Sequence, residues 1–284
     1  MAPPTKMTIK SLIDTETLAG MLDDRSVALV EVDEDTTAYA SGHIPEAVSL
    51  DWKRELHDLP RRDFVSAGQL AELLGSKGIS SDQQIVFYGG NNNWFAAYAY
   101  WLCKLRGIDN VRLLDGGRTK WELEERPFTT EVPATTAVRF KPIGDERPEL
   151  RAYREQVLDS ARAGGQMVDV RSPAEFAGEV MAPPHLPQEQ PYVAGHVPGA
   201  VNIPWSQAAR EDGTFKSVDE LRTLYEGKGI TSNDTVIAYC RIGERSSHTW
   251  FVLSELLGFE DVKNYDGSWT EYGSMVGVPV EIGA

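Results

Sequence analysis

The chain is written twice. Residues 80–121 lie against 231–272 without a gap, so that Tyr88 matches Tyr239 and Asp115 matches Asp266 at a constant offset of 151. Upstream, "YASGHIPEAVSLDW" (39–52) matches "YVAGHVPGAVNIPW" (192–205), pairing His43 with His196 and Trp52 with Trp205 at an offset of 153. Further back, "ALVEVD" (28–33) matches "QMVDVR" (166–171). A repeat of this length means two copies of one folding unit, and it limits the architectures more than any other feature. Each copy begins with a short β-branched strand and a loop carrying Gly-His-[IV]-Pro. A helical stretch follows ("SAGQLAELLGSKGI", "SVDELRTLYEGKGI"), then a second apolar strand ("QIVFY", "TVIAY"), a loop, a long helix and a last strand. Strands alternating with helices predict an α/β fold: two tandem domains, each a mostly parallel sheet flanked by helices.

The expected boundaries are 1–128 for the first domain and 150–284 for the second. The Pro- and Thr-rich stretch 129–149 is an ordered or semi-ordered connection. The second copy alone carries an insertion, "GEVMAPPHLPQEQP" (178–191). Its four prolines forbid helix and predict a loop, with the functional site as one place it could cover.

Net charge is −15, from 28 basic and 43 acidic residues. That balance argues against nucleic acid or an anionic membrane as a partner, and it requires any anion-binding site to be a local island of positive potential. No run of about 18 apolar residues offers a membrane span. The opening "MAPPTKMTIKSL" lacks the apolar stretch of a secretory signal, so cytoplasm is the expected compartment. Two cysteines, one in each copy, are too few for a disulfide framework, and no cluster has zinc-ligand spacing.

The copies act as controls for one another. In "TVIAYCRIGERSSHTWFVLSELLGF" (235–259) the second strand stops at Cys240; the matching residue of the first copy is Gly89, and its loop "GNNNWF" has no arginine. Chemistry at Cys240 therefore belongs to the second copy alone. Features shared by both copies, including His43 with His196, Trp52 with Trp205 and Asp115 with Asp266, read as architecture. His248, early in the following helix, is expected on that helix's surface. Cys103, inside the apolar "WFAAYAYWLCKL", is expected to be a buried, inert small hydrophobe.

Cys240 sits where an α/β sheet places its ligands, at the carboxyl end of a strand and ahead of a helix. Backbone N–H groups of such a loop converge on an anion, and Gly243 permits the turn that aims them. A helix N-terminus and nearby cations, here Arg241 and Arg245, favour a thiolate. Glu244 opposes them unless it points outward or pairs with an arginine. A nucleophilic thiolate in an anion cradle suits either phosphate-ester hydrolysis or sulfur transfer. Cysteine phosphatases need Cys-x5-Arg, but position 246 is Ser246, and the shorter Cys-x4-Arg loop suits a single transferred sulfur.

These residues resemble a tandem-domain rhodanese of the thiosulfate sulfurtransferase type. The resemblance rests on Gly-His-Val-Pro-Gly-Ala (195–200), the strand–Cys–loop–helix and Asp-Gly-Ser-Trp (266–269), and it covers nearly the whole chain. It implies a silent first domain and a second domain whose cysteine becomes a persulfide. In that family Cys-Arg-Lys-Gly-x-Thr loops accompany thiosulfate and Cys-Gly-[Ser/Thr]-Gly-x-Thr loops accompany 3-mercaptopyruvate. Arg241 and Gly243 fit the first pattern, while Ile242 replaces its basic residue and Arg245 its threonine. Glu175 stands where some members carry a further anion-binding arginine. The implied site is Cys240 as nucleophile with Arg241, Ile242, Gly243, Glu244 and Arg245 as the substrate-binding loop. Arg241 and Arg245 are the candidates for holding a sulfonate, with Arg171 a further one. The implied reaction takes sulfur from a small anionic donor, thiosulfate or alternatively 3-mercaptopyruvate, to cyanide or a small or protein thiol, without metal or organic cofactor.

Overall fold

Each copy builds its sheet from runs that are apolar on both faces, the pattern of parallel strands covered by helices on either side. The computed structural model describes residues 10–141, 144–183 and 190–283. The first copy contributes β1 (Leu12–Ile13), β2 (Val27–Glu31), β3 (Val48–Ser49), β4 (His57–Asp58), β5 (Asp63–Phe64), β6 (Gln84–Tyr88) and β7 (Val111–Leu114). The second contributes β8 (Gln166–Asp169), β9 (Val201–Asn202), β10 (Val236–Tyr239) and β11 (Val262–Tyr265). The first sheet runs β1-β7-β6-β2-β3 and the second β11-β10-β8-β9, with every pair parallel. Registers repeat as well: Glu31 lies opposite Tyr88, and Asp169 opposite Tyr239. The edge strand β1 has only a remnant in the second copy, a single bridge from Arg151 to Asn264.

The shared residues do the same structural work in both copies. Ser66 and Ser217 cap the Ala67–Ser76 and Val218–Glu226 helices, each in a reciprocal capping box with the residue three further on. His43 and His196 are buried, stack on Tyr39 and Phe176, and give Nδ1 to a backbone carbonyl. The amides after them, Ile44 and Val197, donate to the hydroxyls of Tyr88 and Tyr239. The described residues of the 129–149 stretch form no α-helix or multi-residue strand and lie against the first copy, with Thr129 bridged to His43 and Val138 donating to the Gly75 carbonyl. Residues 184–189 of the insertion lie outside the described residues.

The two long helices, Trp94–Leu105 and Glu244–Phe251, pack against each other, and the second continues as a π-helical stretch, Val252–Leu256. Tyr100 meets Phe251 edge-on at 4.9 Å, and Trp94 stacks on Trp205 at 5.2 Å. One apolar core consequently passes from Phe87 in the first sheet to Val236 in the second. Cys103 is buried in it, as expected. His248 is not on a surface: it is fully buried between Trp205 (5.2 Å) and Phe215 (4.9 Å). Both rings belong to its own copy, and Asn92 of the first copy approaches it as well.

Each copy also reaches across to the other's strand-end loop. Asp115 accepts the Phe215 amide at 3.0 Å, Lys120 pairs with Asp212, and Gly213 packs so closely on the Gly116 carbonyl that a Cβ there would sit 2.7 Å away. That segment closes over the cysteine-free loop. Its counterpart, the β4–β5 hairpin, faces the cysteine loop and is joined to it by Arg151, which holds Asp266 at 2.7 and 2.9 Å and Asp63 at 2.8 Å.

Candidate active site

Cys240 ends β10, whose four residues are all buried, so the chain leaves the sheet into the narrow space between β11 and the next helix. Its amide donates to Ser268 Oγ at 3.0 Å and its carbonyl accepts the Trp269 amide at 3.0 Å. The thiol accepts the Gly243 N–H at 3.1 Å. That amide is aimed by the backbone of Gly243, whose φ of +99° brings it close to β11's end; a Cβ would lie 2.7 Å from Asp266 Cα. The other side of the turn is locked, since the Gly243 carbonyl accepts from Asn264 Nδ2 (3.1 Å) and Ser247 Oγ (2.9 Å).

Two hydroxyls lie near the sulfur, Ser246 Oγ at 3.6 Å and Ser268 Oγ at 3.9 Å. Each has only one proton, and closer acceptors take it: Asn264 Oδ1 at 2.6 Å and the Tyr265 carbonyl at 2.7 Å. Ser268 holds a left-handed φ of +52°, uncommon for a residue with a side chain. That places a strained backbone one step from the nucleophile.

The five loop residues take separate paths. Arg241 is buried with the loop, its carbonyl held by Thr270 Oγ1 at 2.7 Å and the Thr270 amide at 3.1 Å. Ile242 faces a cleft, Gly243 supplies its amide, and Glu244 is buried with Oε2 3.8 Å from Sγ. Glu244 thus does not point outward. Burial raises its pKa against the pull of Arg245 and Arg241, which weakens its opposition to them. Arg245 forms a bidentate pair with Glu175, 2.9 Å on both arms and buried on both sides, and stays near enough to Cys240 for the two charges to interact. The two departures from the family pattern, Arg245 for threonine and Glu175 for arginine, are therefore partners. Arg171 is fully buried, pairs with Asp169 at 2.6 Å, donates to the Gly195 carbonyl and lies over Trp269.

The first copy's loop keeps the frame and loses the cradle. The Gly89 carbonyl accepts from Arg118 N at 2.9 Å, as Cys240 does from Trp269. A Cβ on Gly89, however, would meet the Val32 carbonyl oxygen at 2.2 Å. Asn93 fills the cradle, accepting the Gly89 amide at 3.0 Å and donating to the Leu114 carbonyl at 2.6 Å.

In front of the cysteine loop lies a cleft of about 420 Å³. Its floor is Ile242, Asp266 and Gly267; its wall comes from the first copy, chiefly Trp52, Lys53, His57, Arg62, Phe64 and Tyr98. The sequence reading missed this wall, because residues facing the site from the other copy have no motif of their own. The signal available was asymmetry: Lys53 and Arg62 stand where the repeat places Ser206 and Gly213.

Comparisons with known proteins agree with this geometry. A rhodanese-like domain model matches residues 14–124 and again 154–275. A protein of Saccharopolyspora erythraea named "Putative thiosulfate sulfurtransferase" is 57% identical over 95% of each chain. A sulfur carrier protein of Thermus thermophilus is 51% identical over 96% of each chain. Among solved structures, the anaerobic ergothioneine biosynthesis enzyme of Chlorobium limicola superposes with a TM-score of 0.84 at 23% identity, covering 99% of this chain and 72% of that one. That likeness concerns the fold alone.

Proposed function

The chain belongs to the rhodanese family and is a sulfurtransferase; from that premise we propose that it moves sulfane sulfur from thiosulfate to a nucleophilic acceptor through a persulfide on Cys240. The observation that carries the reading is the Gly243 amide 3.1 Å from the buried Sγ, in a loop whose Ile242 lines a cleft. The full-length relatives named for thiosulfate sulfur transfer support the choice of donor. So does Arg241, which stands where a mercaptopyruvate-type loop carries glycine.

The reaction is a two-step displacement. Cys240 as thiolate attacks the outer sulfur of thiosulfate; the new S–S bond forms as the old one breaks, and the electron pair departs with sulfite. Negative charge then rests on the terminal sulfur, where loop amides act on it. The acceptor, as a thiolate or cyanide, attacks that terminal sulfur, and the pair returns to Cys240. The acidic surface of the protein works against anionic substrates, so the cysteine loop must supply the local attraction for the donor.

The test is a single-turnover reaction with thiosulfate, read by sulfite release and by intact mass. The wild type should release one sulfite per chain and gain the mass of one sulfur atom. Cys240→Ser should do neither, while Cys103→Ser, whose thiol is buried and pushed far up in pKa by desolvation, should match the wild type. The opposite pattern would refute the assignment. Steady-state kcat/KM for thiosulfate against 3-mercaptopyruvate then decides the donor.

A further inference from the structure

The first copy has no cysteine at its strand end, but it supplies most of the wall of the cleft that Ile242, two residues beyond Cys240, also lines. A thiosulfate ion has five heavy atoms and fills about the volume of three or four waters, each ~30 Å³. The cleft, at about 420 Å³, has several times that room. Donor and acceptor meet the same sulfur in turn, so the surplus space belongs to the larger of the two.

The chemistry of the wall is mixed. Trp52 and Phe64 give it buried aromatic surface, and Leu59, which is 68% exposed, extends that surface to the rim opposite Ile242. The charged or titratable groups lining it are Lys53, His57, Arg62, Asp63, Tyr98 and Asp266. Arg151 binds both aspartates. Lys53 and Arg62 stand exposed at the outer end.

The repeat shows that these two cations are specific to this cleft. Lys53 corresponds to Ser206, and Arg62 to Gly213, on the segment that closes the cysteine-free loop. The backbone at both latter positions is left-handed, φ +53° at Arg62 and +81° at Gly213. Glycine adopts that conformation freely and arginine does not. The live cleft thus has an arginine where its twin uses the unstrained residue, as it has Ser268 where the first copy has Gly117.

We propose that the first copy sets acceptor specificity: the Trp52–Lys53 and 59–64 wall receives an organic thiol whose carbon frame lies on the apolar surface and whose carboxylate meets Lys53 and Arg62. This rests on the sulfur-transfer reading above. The acceptor loses its thiol proton to solvent, its sulfur attacks the terminal persulfide sulfur, and it leaves as the organic persulfide while Cys240 regains the electron pair.

Ping-pong kinetics separates the two substrates, because kcat/KM for donor reports only the first half-reaction and kcat/KM for acceptor only the second. The probes are N-acetylcysteine and its uncharged amide, equal in size, with thiosulfate as donor. The variants are Lys53→Ala, Arg62→Gly, which suits the left-handed backbone, and the double variant. In the double variant, kcat/KM for N-acetylcysteine should fall about tenfold, with the amide and thiosulfate within twofold of wild type. Lys53→Arg should retain the preference. A parallel loss for both thiols, a matching loss for thiosulfate, or no change would each overturn the proposal. Failure of sulfur transfer itself would appear separately, as absence of sulfite release from the wild type.

Discussion

Glu175 and Arg245 are 70 positions apart, and each looks anomalous alone. Together they are a buried bidentate pair, with one member following β8 and the other in the first turn of the Glu244–Phe251 helix. Removing one partner strands the other's charge in a space without water, which costs about 3–5 kcal/mol. Glu175→Gln should therefore destabilise the protein by about 3 kcal/mol, while Arg245→Met in the same chain should recover part of that loss; urea denaturation of the four-member cycle measures both. The pH dependence has a definite sign. Burial pushes the Glu175 carboxyl up, but Arg245 more than offsets it and holds the folded pKa below the ordinary value. Its contribution is therefore complete above about pH 4.3, where the unfolded carboxylate ionises, and is lost as pH falls through the lower folded value. That part of the acid slope should be absent in Glu175→Gln. Both residues were legible as departures from a pattern, but no local signal in the sequence could join them.

At the scale of one element, the strand–loop–helix unit occurs twice with the same frame but a thiol at the strand end of only one. The repeat, the strand ends and the caps were readable because apolar periodicity and capping residues are local. Why the first loop is empty was not readable, since the obstruction comes from β2: the carbonyl of Val32 occupies the space a side chain at position 89 would need. Gly89→Cys should consequently not create a second active centre. The variant should still gain a single sulfur on reaction with thiosulfate, by intact mass, and should lose about 1–3 kcal/mol of stability from the forced shift of backbone. Gain of two sulfurs would mean that the β2 backbone moves aside easily and that the first loop retains a working cradle.

The whole molecule depends on the interface between copies, where sequence reading went most clearly astray. A helix in an isolated domain buries one face, so His248 read as surface; here the Trp94–Leu105 and Glu244–Phe251 helices bury one another, and no side of either faces water freely. His248 lies in that interface, and burial lowers its pKa to about 3. The unfolded chain takes up a proton at this histidine below about pH 6.5, whereas the folded chain does not until about pH 3. Between those values the unfolded state binds more protons, so stability falls with falling pH by up to about 1.4 kcal/mol per unit. Because one apolar core runs through both sheets, the loss should appear as a single transition for the entire protein. Chemical denaturation at pH 7, 6, 5 and 4 should show a midpoint that declines across this range, and His248→Leu should flatten the decline. A slope unchanged by that substitution would place the titrating group elsewhere; two separate transitions would mean the copies fold apart and meet afterwards, and the cleft wall would then be assembled only in the docked state.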